Sequence, residues 1–178
     1  MGEEIFEIFN AENVLAGHSP RSIVHRDGLY HRAVHVLLFN SKRELLVQKR
    51  ASNKDVCPGR WDLSAAEHHK PGETGAEAAA RGLREELGIA PSQLPPLSLW
   101  RPSRLQHFEA PELKISDREF VETFRGTYDG IVEPDGVEVM KVGFWSQQRA
   151  QDALLQETTL LTPWFEAELR HLERKTAW

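Results

Sequence analysis

The chain opens with apolar and acidic positions that alternate roughly, EIFEIF at 4–9, which predicts a short first strand. AENVLAG then reads as a turn into a second strand around residues 22–25, and Asp27-Gly28 supplies another turn. HRAVHVLLFN (31–40) is a strongly apolar run closed by Asn-Ser-Lys, and ELLVQKR (44–50) follows it, so 33–39 and 44–49 are expected to pair as a hairpin. CPGRWDLSAAEHHKPGE reads as a loop holding a short extended piece at 61–65. A helix follows, APSQLPP (90–96) breaks the chain again, and strands are predicted at 97–107, 118–128 and 137–145. SQQRAQDALLQ and TPWFEAELRHLERK close the chain as two helices, the second with Thr162 as N-cap and Pro163 at its first position. No internal repeat or low-complexity segment is visible. Strands on either side of one central helix, with a helical C-terminus, predict an α+β sandwich made by a single domain over 1–178.

The central helix carries the candidate chemistry. Thr74 followed three residues later by Glu77 forms a capping box, and Gly88 is placed as a C′ glycine. Helical spacing groups Ala76, Ala79, Ala80, Leu83 and Leu87 into an apolar stripe that packs on a sheet, leaving Arg81, Gly82, Glu85 and Glu86 on the other face. As a plain solvent face, Arg81 and Glu85 would be an i,i+4 ion pair worth about 0.3–0.5 kcal/mol. Two adjacent carboxylates near a helix C-terminus, however, oppose the helix dipole and repel each other. A bound divalent cation offsets both costs, because carboxylate oxygens are what Mg²⁺ and Mn²⁺ prefer.

Composition narrows the classes. With 40% apolar and 28% charged residues the chain is ordinary globular material. Lys and Arg total 22 against 27 acids, a net charge of −5, and no basic stretch occurs, which argues against a general nucleic-acid binder. One cysteine, Cys57, rules out an internal disulfide and fits a reducing compartment. MGEEIFEIFN has neither the basic nor the apolar region of a signal peptide. No apolar run approaches the roughly 18 residues that span a bilayer. The expectation is a cytoplasmic domain with no membrane partner.

Residues 67–89 resemble the Nudix box, G-x5-E-x7-R-E-U-x-E-E-x-G-U with U aliphatic. Glu73, Arg81, Leu83, Glu85, Glu86, Gly88 and Ile89 stand on their motif positions. The resemblance implies a loop–helix–loop set against a mixed sheet sandwiched between helices. It also implies attack of water on a diphosphate linked to another group, assisted by Mg²⁺ or Mn²⁺ held by Glu85 and Glu86. Glu73 and Arg81 would brace the loop against the helix. Two positions depart: Glu67 stands where the box opens with glycine, and Gly82 stands where the first glutamate of R-E-U-x-E-E belongs. The second departure removes a carboxylate one turn before Glu86 and costs the helix ~1 kcal/mol relative to alanine. Either Glu67 supplies a substitute carboxylate or cation binding is weakened.

HRDGLYHRAVHVLLFN, LLVQKRASNKDVCPGRWDLSAAEH and DREF are similar to the Nudix branch that contains isopentenyl-diphosphate isomerase and its hydrolase relatives, the likeness covering roughly residues 5–150. In the isomerase, three histidines and two acids make a metal site. His31 and His68 match two of these histidines, His25 matches the third allowing one gap, and Asp117 and Glu119 fall near the two acids, Glu119 the firmer. Glu119 is therefore a candidate additional ligand or general base. The alternative is that these histidines cap a turn and line a cleft without metal. His35 is expected to be a satisfied core or sheet-face histidine, and His69 to be solvated. The isomerase places a proton-transferring cysteine just before the equivalents of Glu67 and His68; here that residue is Ala66, which has no proton to give.

Lys49, Arg50, Lys54 and Arg60 are candidate phosphate ligands, or else a solvated basic patch. Trp61 and Trp100 could stack on a base or pack in the core, with the core favoured for Trp61. The expected protein is thus a hydrolase of a nucleoside diphosphate or related organic diphosphate, with an isomerase-like enzyme and a diphosphate-binding fold without turnover as alternatives. Dimers are common in the family, so a homodimer is a further expectation.

Overall fold

A computed structural model describes residues 3–134 and 136–178. The central strand β3 (Tyr30–Phe39) runs parallel to β8 (Ile115–Thr127) along its whole length and antiparallel to β6 (Ala65–His68) over Ala33–Val36. β1 (Ile5–Phe9) and β2 (Leu15–Pro20) form an antiparallel pair joined to β3 at Phe9 and Tyr30. β7 (Ser98–Ala110) is the antiparallel partner of β8. On the other side β4 (Leu45–Arg50) pairs with β5 (Trp61–Asp62) and β9 (Val139–Trp145).

Side chains alternate along β3, so its two faces feed two cores. Val34, Val36 and Leu38 pack with Ala78, Ala79, Leu83 and Leu87 of α2 (Gly75–Leu87). Leu37 and Phe39 pack on the opposite face with Ala150, Ala153 and Leu154 of α3 (Gln147–Gln156) and Phe165, Leu169 and Leu172 of α4 (Pro163–Lys175). This is the α+β arrangement expected, a mixed sheet between helices.

Four local expectations are corrected. Residues 22–25 are not a strand but lie in α1 (Arg21–Asp27), which Gly28 ends in the left-handed conformation at φ 65°. The second strand lies just before it and is largely exposed, so it carries no apolar alternation to read. The expected hairpin of 33–39 with 44–49 is joined at a single pair, Phe39 with Leu45. Beyond it the strands splay, and Ser64 spans the gap: its hydroxyl donates to the Leu46 carbonyl at 2.6 Å and accepts from Leu38 N–H at 2.8 Å. The stripe of α2 is rotated: Ala76 is exposed and Ala80 half-buried, while Gly75, Ala78, Ala79, Gly82, Leu83, Glu86 and Leu87 face the sheet. Glu86, three residues after Leu83 and seven after Ala79, belongs to the packed face and not to the outer one. Finally, His69 is buried, its Nδ1 3.1 Å from the Glu73 carbonyl.

Candidate active site

The split between β3/β6 and β4/β5 opens a cavity of about 250 Å³. One wall holds a cluster that the strand register assembles. His31 on β3 is paired across the sheet with Glu119 on β8, and His68 on β6 is paired with Ala33 beside it. α1 brings His25 over the top, and Phe6 of β1 caps the group, its ring 5.2 Å from His31 and 4.6 Å from His68. His25, His31 and His68 offer ring nitrogens within 4.8 Å of one another, as do His31, Asp117 and Glu119 with their ligand atoms.

The donor set fits a divalent cation. His31 Nδ1 lies 3.1 Å from the Leu29 carbonyl, so Nδ1–H donates there and Nε2 carries a lone pair. That lone pair faces Asp117 Oδ1 at 3.3 Å, and neither atom has another hydrogen-bond partner. His25 Nε2 is likewise buried without one. His68 Nε2 sits 3.2 Å from Glu119 Oε1. Burial first, then the neighbouring histidines, pulls His25 down to about 3 and His31 to about 4, and burial pulls His68 to about 3, so all three rings are neutral at pH 7. Burial and the Glu119 charge push Asp117 up to about 9. A central cation relieves both stresses.

The box helix forms the adjoining rim. Thr74 and Glu77 complete the capping box and Gly88 caps the C-terminus at φ 66°. Arg81 binds both Glu73 oxygens at 2.9 Å, the His68 carbonyl at 2.6 Å and Glu67 Oε2 at 2.8 Å, bracing the loop against the helix. Glu67 is pushed up to about 7 by burial, despite Arg81. Glu86 is buried against Gln48 and raised well above the carboxylate range, by burial and by the Glu67, Asp62 and Glu138 charges. Glu85 is different: it lies at the exposed rim, 3.0 Å from Arg84, 3.4 Å from Arg81 and 3.8 Å from Lys70. A Cβ on Gly82 would stand 3.2 Å from Glu67 Cβ and 3.6 Å from Glu86 Oε1. The two departures from the box therefore meet: the strand carboxylate Glu67 stands over the position that the helix leaves empty.

Of the four basic candidates, Arg50 and Lys54 line the cavity; Lys49 and Arg60 do not. Arg50 is tied to Asp62 at 3.2 Å and to the Val56 carbonyl at 3.1 Å, and Lys54 to Glu138 at 2.8 Å. Lys49 stands 5.9 Å from the Trp61 ring centroid, and Arg60 donates to the Leu161 carbonyl at 3.2 Å. Sequence reasoning missed Arg21 and Lys70, which also line the cavity. Arg21 Nε is buried with no partner, and its signal was its place as first residue of a helix read as a strand. Trp61 and Trp100 are partly buried against the α3/α4 core. His35 is buried, 3.1 Å from Glu168, as a satisfied sheet-face histidine should be. Among the described residues no helix is long and apolar enough to cross a membrane.

Comparison with known proteins agrees. Nudix hydrolase 3 of Arabidopsis thaliana is 47% identical over 91 residues, half of this chain but only 12% of that protein's length. An isopentenyl-diphosphate Delta-isomerase of Burkholderia multivorans is 32% identical over 141 residues, covering 79% of this chain and 77% of its own. The crystal structure of DR0079 from Deinococcus radiodurans superposes with a TM-score of 0.72 over 94% of this chain and 98% of that one; at 21% identity it supports the fold alone. Nudix proteins generally use divalent metals such as Mg²⁺ or Mn²⁺. The NUDIX domain model matches residues 29–165, and the chain belongs to that family.

Proposed function

We propose that the protein is a divalent-cation-dependent hydrolase that cleaves the phosphoanhydride of a nucleoside diphosphate or related organic diphosphate. The observation that carries this is the make-up of the cavity: unpartnered imidazole and carboxylate atoms and box carboxylates stand with cations around one space, Arg21 Nε among them without a partner. His25, His31, His68, Asp117 and Glu119 would hold one cation, and Glu67, Glu86 and the rim residue Glu85 would hold Mg²⁺ or Mn²⁺ beside the diphosphate. What such cations supply is charge neutralisation of phosphoryl oxygens and a lowered pKa for water. Arg21, Arg50 and Lys54 bind and orient the phosphoryl oxygens, and Phe6 keeps bulk water off the histidines. Arg81 fixes Glu67 and Glu73 so that the carboxylates do not have to be organised when substrate arrives. Glu119, 3.2 Å from His68, serves as a ligand in this arrangement.

One observation favours the isomerase-like alternative, the assembly of all five residues of that branch's metal site. Ala66 opposes it, because no titratable group stands at the cysteine position. Phosphate release from a panel of nucleoside and alkyl diphosphates, with Mg²⁺ and then Mn²⁺, tests the proposal. Hydrolysis is expected; ligand binding without turnover of any diphosphate would replace the hydrolase by a binding fold. Deuterium uptake from D₂O into a recovered isoprenoid diphosphate would install the isomerase instead.

A further inference from the structure

Cations, carboxylates and the metal-fitted cluster account for much of the cavity's lining but not for all of it. The remainder includes Ala33, His35 and Ala66, on the same sheet face as His31 and His68 and further along β3. His35 pairs directly with Ala66 across the strands and is only 2% exposed. At about 3.3 Å per residue, its Cα lies about 13 Å along β3 from that of His31.

The ring is held and its chemistry is set from behind. His35 Nδ1 lies 3.1 Å from Glu168 Oε1. Glu168 is fully buried, and it also accepts from Thr123 at 2.8 Å and from Arg101 at 2.8 Å and pairs with Arg104. Burial alone would raise its carboxyl, but His35 and the two arginines hold it down at about 2. An ionised carboxylate only accepts, so Nδ1–H donates to it and Nε2 is the ring atom left for another partner. Among the described residues Glu168 is the one partner of the ring, and Nε2 is not sealed in by protein as it is in His25 and His31. With only methyl groups at 33 and 66, that nitrogen is the polar atom this part of the lining offers to the cavity.

We infer that the part of the cavity lined by His35 recognises a hydroxyl group on the organic end of the diphosphate, through a hydrogen bond with His35 Nε2. The substrate class is thereby a polar organic diphosphate and not one with a purely hydrocarbon tail. This rests on the diphosphate reading of the same cavity. A hydrocarbon end would bury Nε2 unpartnered, a loss that mutational data place at about 1–3 kcal/mol, roughly ten- to a hundredfold in kcat/KM. His35 in this role binds and selects; Glu168 positions it.

The test uses ω-hydroxyalkyl diphosphates of increasing length and their n-alkyl counterparts, with Mg²⁺ and Mn²⁺, followed by phosphate release and by calorimetric binding. The expected result is a preference of about ten- to a hundredfold for one hydroxylated length. In His35→Leu the preference should vanish through loss on the hydroxylated compound alone, and His35→Gln, which keeps a hydrogen-bonding end, should restore part of it. Glu168 keeps Thr123, Arg101 and Arg104 in both variants, and circular dichroism checks the fold. Hydrolysis of both series with equal kcat/KM overturns the inference and leaves the hydrolase standing. Tighter binding of the hydroxylated series without turnover does the reverse, and binding of neither overturns both.

Discussion

The exchange of carboxylate between Glu67 and Gly82 can be tested by undoing it. Gly82 is buried in the middle of α2, where alanine would gain ~1 kcal/mol in helix propensity. Its Cβ would stand 3.2 Å from Glu67 Cβ and 3.7 Å from Ala65 Cβ, side-chain contacts that must give by a few tenths of an ångström. Gly82→Ala should therefore change stability by less than about 1 kcal/mol. Gly82→Glu is another matter. Glu67 is already lifted from 4.5 to about 7, which corresponds to about 3 kcal/mol for holding it ionised without a cation. A third carboxylate beside Glu67 and Glu86 adds a cost of the same order. For a chain of this size that is roughly 6–12 °C in Tm at pH 8 in chelator.

The sign with pH follows. A carboxyl raised in the folded state favours folding below its unfolded value and loses that contribution as pH rises from about 4.5 through 7. The Gly82→Glu deficit should thus be small at pH 5, full at pH 8, and recovered by added Mg²⁺ or Mn²⁺. The double variant Glu67→Gly with Gly82→Glu restores the usual box and one carboxylate, so it should match the wild-type Tm within a few degrees and keep phosphate release within about tenfold. Thermal scans across pH, with and without cation, read all of this. If Gly82→Glu in chelator at pH 8 is as stable as the wild type, or the double variant is inactive while the single one works, the exchange argument is wrong.

Other outcomes follow from the same geometry. His31→Ala and His68→Ala should each lower cation content measured by metal analysis, about 10–100-fold in affinity; unchanged content would leave the histidines lining a cleft without metal. Because Asp117 is raised to about 9, cation binding at pH 7.5 should release close to one proton, seen as buffer-dependent calorimetric heat, and affinity should climb with pH towards 9; Asp117→Asn should remove that proton. Arg21→Ala should raise KM for diphosphates with fold intact, whereas Arg60→Ala should leave KM unchanged, since Arg60 is spent on the Leu161 carbonyl outside the cavity. Glu168→Gln leaves Arg101 and Arg104 facing a neutral amide and should cost about 3–5 kcal/mol in denaturant melts.

The sequence made visible whatever is encoded by local spacing. The capping box of Thr74 and Glu77 and the left-handed Gly88 follow from local spacing, and the bracing of Glu73 by Arg81, which the Nudix resemblance implied, lies in the same loop and helix. What it hid depends on how distant strands register. The grouping of Glu86 with Arg81 and Glu85 on an outer face fails because its partner, Gln48, comes from the distant strand β4 and holds it on the packed face. Arg21 escaped notice because the exposed strand before it carries no apolar rhythm from which to find the helix start. His35 looked complete as a core histidine, since its partner Glu168 lies on the last helix and nothing local tells which ring nitrogen that partner leaves free. Glu67 and Gly82 belong to the same class of problem. Taken one residue at a time they are two losses from a motif, a glycine that loosened a loop and a glutamate that went missing. Placed on β6 and α2 they are neighbours at Cβ distance, so a substitution at either one changes the room and the charge felt by the other. The glutamate that the box expects at Gly82 and the carboxylate of Glu67 thus address one place between strand and helix, reached here from the strand side.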